Sequence, residues 1–113
     1  MLTITSNEQV LPLIKDGILK IDDDIELALD DFKINADLIC KNICGKNYRR
    51  NISAGDISAR NISARDISAG NISARGISYF AFCIVYRIFK CKSIKGKRTN
   101  SFHKCLDSEI IFI

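Results

Sequence analysis

The only histidine, His103, stands two residues before Cys105, and the other thiols are Cys40, Cys44, Cys83 and Cys91. A cysteine nucleophile needs a base turned toward it and held there by a third group. A spacing of two in a polar stretch supplies no such constellation, so no catalytic residue is assigned. Cys40, Cys44, Cys91, His103 and Cys105 would make a zinc site only if the two ends of the chain met. Cys40-x-x-x-Cys44 has no second matching pair, and no metal or cofactor is expected. The acidic groups Asp22-Asp23-Asp24 and Asp30-Asp31 lack the alternating spacing and closing glutamate of a calcium loop, and they read as solvated corners. No glycine-rich phosphate loop, dinucleotide fingerprint or carboxylate pair stands out. The chain is expected not to be an enzyme.

Recognition remains, and charge carries it. Lys90, Lys92, Lys95, Lys97 and Arg98 form a dense basic run within a stretch that holds no acid between Asp66 and Asp107. One reading is a polyanion or partner contact; the other is a solvated strand edge that lysine keeps from aggregating. Arg60, Arg65 and Arg75 are secondary basic positions. Residues 1–37 hold nine acids against three bases, a net of −6, whereas the remainder holds fourteen bases against four acids, a net of +10. The sequence is an electrical dipole.

What must position these charges is set between Asn51 and Ser78, where one five-residue phrase recurs as NISAG, DISAR, NISAR, DISAG, NISAR and GIS. On an α-helix, isoleucines five apart rotate about 140° at each step and wind round every face. On a flat strand an odd spacing alternates faces. The pattern is consistent only if each repeat is a short strand with Ile and Ala on one face, ended by a corner at which Asn or Asp bonds local backbone. The chain must coil, each turn hydrogen-bonding to those above and below it.

Charge bears on the number of sides. Four sides place residue n under n+20, which sets Arg50 against Gly70 and Gly55 against Arg75, and stacks Asn51 under Asn71. Three sides use an offset of fifteen, which stacks Arg60 on Arg75 and Arg50 on Arg65. Like charges directly opposite on neighbouring strands are unfavourable, so this reasoning favours four.

The [ND]-I-S-A-x run resembles the pentapeptide-repeat proteins, and within them a variety written [ND]-I-x-A-x that occurs in short bacterial and phage-borne proteins. The resemblance covers residues 36–96 and transfers no catalytic residue. It implies an all-β, right-handed, parallel, four-sided β-solenoid. One departure is that the small residue follows the large one by two, where the family's consensus has it two before. Some members imitate duplex DNA and occupy DNA-handling enzymes, a role that calls for an acidic surface; only the amino-terminal part here is acidic.

On this reading residues 37–96 form about three coils, preceded by a cap at 1–36 and followed by a closing segment at 97–113. Thr5 with Glu8 is a capping-box signal for a short helix from Asn7 to Lys15, broken near Pro12, that would cover the open end. In the worn repeats between Asp37 and Arg50, Tyr48 with Arg50 takes one beat, and a residue missing before Asn51 implies a tighter corner. Tyr79 to Tyr86 is read as aromatic plugging of the last coil, with a hydrophobic or base-stacking surface as its rival. Two extra residues fall near Tyr86 and Arg87. The segment Glu109 to Ile113 reads as a closing strand whose edge is available for pairing.

No apolar run reaches the ~20 residues of a membrane span, and five cysteines without a signal peptide suggest a reducing cytoplasm. The expected function is that of a non-enzymatic β-solenoid interaction module, binding a protein partner or assembling with copies of itself. The alternative is a nucleic-acid binder, or a small inhibitor of a nucleic-acid-processing enzyme, acting through the basic carboxy-terminal run.

Overall fold

Isoleucine at every fifth position gives each short strand one inward side chain, and the chain turns at the small or polar residues between. The computed structural model describes residues 1–113, the side chain of Lys46 excepted. The first coil is β1 (Leu2–Ile4), a 3-10 turn at Asn7–Leu13, β2 (Ile14–Lys15) and β3 (Ile18–Lys20); the second is β4 (Ile25–Leu27), β5 (Asp31–Lys33) and β6 (Asp37–Ile39). The third is β7 (Asn42–Gly45), β8 (Asn51–Ser53) and β9 (Asp56–Ser58). Two long strands, β10 (Asn61–Ser73) and β11 (Gly76–Cys91), each bend round a whole coil, and β12 (Ser93–Gly96), β13 (Phe102–Cys105) and β14 (Ile111–Phe112) make the last. Apart from the antiparallel β2–β3 hairpin, the pairing is parallel. The molecule is a parallel β-solenoid, as the repeat predicts.

The coil is three-sided, not four-sided. Ile52 pairs with Ile67, Ile57 with Ile72 and Ile62 with Ile77, each fifteen residues on. Side one stacks β1, β4, β7, the start of β10, the start of β11 and β12; side two carries β5, β8 and β13, and side three β3, β6, β9 and β14. Like-charge repulsion pointed to four, but Arg60 and Arg75 stand at the rim, where water screens them and long side chains splay apart. The interior decides. Ile and Ala fill a narrow triangle, and a wider square would leave voids between side chains of this size.

Stacking also extends beyond residues 37–96 in both directions. Leu2–Ile4 lies against β4, and Phe102–Cys105 and Ile111–Phe112 lie against β11, giving about five turns rather than three. The inward set Ile52, Ile57, Ile62, Ile67, Ile72 and Ile77 is buried, as are Ala64, Ala69 and Ala74. Fully burying an isoleucine contributes roughly 1.5–3 kcal/mol, so this column is the main apolar source of stability.

The corners hold amide ladders. Nδ2 of Asn61 donates to Oδ1 of Asn42 (3.0 Å), and Nδ2 of Asn42 in turn donates to Oδ1 of Asp24 (2.9 Å). Asn71 donates to Asp56 (3.0 Å) and Asn51 to Asp31 (2.6 Å). The offset of fifteen therefore sets Asn71 over Asp56, not over Asn51.

The amino-terminal helix is a 3-10 turn at Asn7–Leu13 with Val10 buried. Asn7 donates through Nδ2 to the Asp31 carbonyl and accepts from the Lys33 amide, so the turn covers the outer edge of β5. Near Tyr48 the corner is not tightened. The chain leaves the coil at Lys46–Tyr48, with Asn47 and Tyr48 at φ of 56° and 57°, and Tyr48 fills no inward slot. The two extra residues near Tyr86 are in fact one at each of two corners: Ala64 and Asp66 face Tyr79 and Phe82, and Ala69 and Asn71 face Val85 and Ile88.

Candidate interaction surfaces

An exposed lysine on a strand points away from the coil axis, so its side of the triangle determines what it can meet. Lys90 lies opposite Ser73 on side three, and Lys95 opposite Ser78 on side one. The Lys92 amide bonds the Arg75 carbonyl at the corner between them, and the Arg98 amide bonds the Phe80 carbonyl at the next corner. Lys97 stands 5.6 Å over the Tyr48 ring, a cation–π contact. The Lys90 to Arg98 run is thus wound round the last coil, and the structure does not gather it into one patch.

Stacking builds a different basic array. The Arg60 amide bonds the Lys41 carbonyl, Arg75 bonds Arg60, and Lys92 bonds Arg75, so four cationic residues rise along the corner joining sides three and one. All four are exposed. The spacing of fifteen between Arg60 and Arg75 was the signal for this column, and sequence reasoning read it as a reason against the register. Lys41 was missed because its own spacing to Arg60 is nineteen. Arg65 stands apart, over Arg50, whose Nη1 pairs with Asp30 Oδ1 at 2.6 Å.

The aromatic block divides between the two readings. Tyr79, Ala81, Cys83 and Val85 point inward and are buried, whereas Phe80, Tyr86 and Ile88 are exposed. Phe82 stacks on Phe102 with ring centroids 5.9 Å apart. At the carboxy-terminal end Phe102, Leu106, Ile111, Phe112 and Ile113 are exposed too. Among the described residues β12, β13 and β14 each pair on one side only, against β11.

The residues weighed for chemistry are dispersed. His103 Nδ1 lies 2.6 Å from Tyr79 Oη, while Cys105 Sγ bonds the Arg87 carbonyl. Cys40, Cys83 and Cys91 are buried, and Cys44 is exposed on side one. Burial pushes the Cys40 thiol up to about 11 and raises those of Cys83 and Cys91, the reverse of nucleophile activation. Among the described residues no three His, Cys, Asp or Glu side chains converge as a metal site would require. No helix is long and apolar enough to cross a membrane. No family model, curated protein or solved structure matches the chain.

Proposed function

We propose that this protein is a non-enzymatic interaction module that docks a protein partner on its carboxy-terminal coil. The observation behind this reading is the state of that coil. β12, β13 and β14 offer unpaired outer edges beside exposed Phe102 and Phe112, at 49% and 62% of full accessibility. Strand edges and clustered apolar side chains are what a protein partner covers. Lys90, Lys92, Lys95 and Lys104 surround the end and favour an acidic partner face.

The chain itself carries such a face. The acid excess lies in the first coils, and β1 is an edge strand on the same side of the triangle as β12. Contact between the two ends of successive copies would be heterologous and would build chains. The [ND]-I-S-A-x phrase supports placing the protein near the pentapeptide-repeat proteins, although the offset of fifteen departs from their four-sided section.

Sedimentation across protein and salt concentration tests the reading, with Phe112→Glu as comparison. Assembly at low salt, dispersed by salt and by the substitution, is the expected outcome. A monomer throughout removes self-assembly. A photo-crosslinker at Phe112 that then captures no protein in the native cell removes the docking surface itself.

A further inference from the structure

The corner column carries an inference beyond the end surface, with which it shares Lys92. Lys41, Arg60, Arg75 and Lys92 occupy successive coils, and neighbouring coils are about 4.8 Å apart. Four cations thus lie on a nearly straight line of about 14 Å, three inter-coil steps long. Among the described residues none of the four makes a salt bridge; the pairs found are Met1–Asp23 and Arg50–Asp30. The nearest acids along the corner are Asp22, Asp23 and Asp24, below Lys41, and Asp23 is taken up by the amino-terminal amine at 2.6 Å. Among the described residues no salt bridge neutralises Arg60, Arg75 or Lys92, which form a stretch of like charge.

Beside that stretch lies a cleft of about 500 Å³ whose wall includes Arg60, Arg75, Lys92 and the hydroxyls of Ser58 and Ser73. Guanidinium forks match phosphate oxygens bidentately, and the adjacent hydroxyls add donors for the further oxygens that a phosphate has and a carboxylate lacks. A duplex winds its phosphates away from a straight edge within a few base pairs. A single flexible strand can follow the edge.

We propose that this corner binds a linear phosphate chain lying along the solenoid axis, bridged by Arg60, Arg75 and Lys92, with Ser58 and Ser73 as hydroxyl donors. Two sources share that chemistry, a single nucleic-acid strand and inorganic polyphosphate. The strand gains its affinity by releasing counterions.

The experiment is fluorescence anisotropy of a labelled oligothymidylate against the intact protein over a salt series. Duplex DNA, polyphosphate and polyglutamate serve as competitors. Three bridged phosphates predict a log–log salt slope near 2, at about 0.7 for each. Arg60→Gln with Arg75→Gln should lower that slope by about 1.4 and weaken low-salt binding at least about tenfold. Arg87→Gln with Lys104→Gln removes equal charge elsewhere and should change it little. Displacement by polyphosphate but not by duplex or polyglutamate is expected, and the relative strength of polyphosphate and oligonucleotide tells which source fits better. If the glutamine pair misfolds by circular dichroism, Arg60→Lys with Arg75→Lys keeps the charge and should still weaken binding by removing the forks. Absence of binding at low salt, equal loss in the control pair, or displacement by duplex or polyglutamate as effective as by polyphosphate would overturn the proposal.

Discussion

Asp66 lies directly above Asn51, one residue before the Ile67–Ile52 pair, and Oδ1 of each is buried without a hydrogen-bond partner. At three other steps of the ladders the acid is beneath the amide side chain and accepts from it, as Asp24, Asp31 and Asp56 do. Here the order is inverted, and two acceptors meet. Desolvation raises the Asp66 carboxyl above the usual carboxylate range, against the lowering effect of the Phe82 amide and of Arg65 and Arg98. A raised acid favours the fold while protonated, so its contribution is present below the unfolded pKa and lost as pH rises through the folded one. Asp66→Asn should supply the missing donor and stabilise the protein by about 1 kcal/mol near neutral pH. In urea unfolding the gain should shrink once the wild-type carboxyl is protonated. An equal gain at every pH would show that the ladder is not its source.

Ala64 is fully buried and Ser73 is exposed on side three. Ala64→Leu should overpack the triangle and cost about 1–3 kcal/mol, whereas Ser73→Leu should stay within about 0.5 kcal/mol. Chemical denaturation of both variants checks the order, and its reversal would contradict the inward set.

The same residues mark how far the sequence could be read. The five-residue period shows that the chain coils and that Ile62 and Ala64 face inward, because no helix or flat strand accommodates it. It leaves the number of repeats per turn open, since three and four satisfy the same local pattern. The choice lies in the volume of the interior, which Ile and Ala fill at three sides, and surface arginines are too well solvated to override it. Outside the run, Leu19 and Phe32 fell within the segment read as a cap at residues 1–36. Their membership of the same stack was hidden by offsets of nineteen and twenty, which the offset of fifteen does not predict. Lys41 could not be grouped with Arg60 for the same reason.

The thiols report on that interior. Cys44 is exposed, Cys105 is partly covered, and Cys40, Cys83 and Cys91 are buried with raised thiol pKa values. In mildly alkaline solution, alkylation followed by mass spectrometry should label Cys44 first. The three buried thiols should react only as fast as the protein opens. Rapid labelling of Cys83 would mean that the last coils are not packed as described.

Two tyrosines should separate in a spectrophotometric titration. Tyr48 Oη lies 3.0 Å from Ser78 Oγ, and that hydrogen bond holds the phenol below its ordinary range; burial pushes Tyr79 above it. The earliest phenolate signal should vanish in Tyr48→Phe and move to higher pH in Ser78→Ala. If Ser78→Ala leaves the curve unchanged, Tyr48 does not rest on side one.

An offset of fifteen makes this molecule a threefold screw, with one repeat for each third of a revolution. Inserting a single five-residue phrase would leave every local strand and corner satisfied, yet would swing all later coils by about 120° about the axis. Lys92 would no longer follow Arg75 up the same edge, and the terminal strands would face a new direction. Only length changes in whole turns preserve the phase between the acidic first coils and the basic last one. Relative azimuth, rather than any individual residue, is therefore the property most exposed to repeat gain and loss.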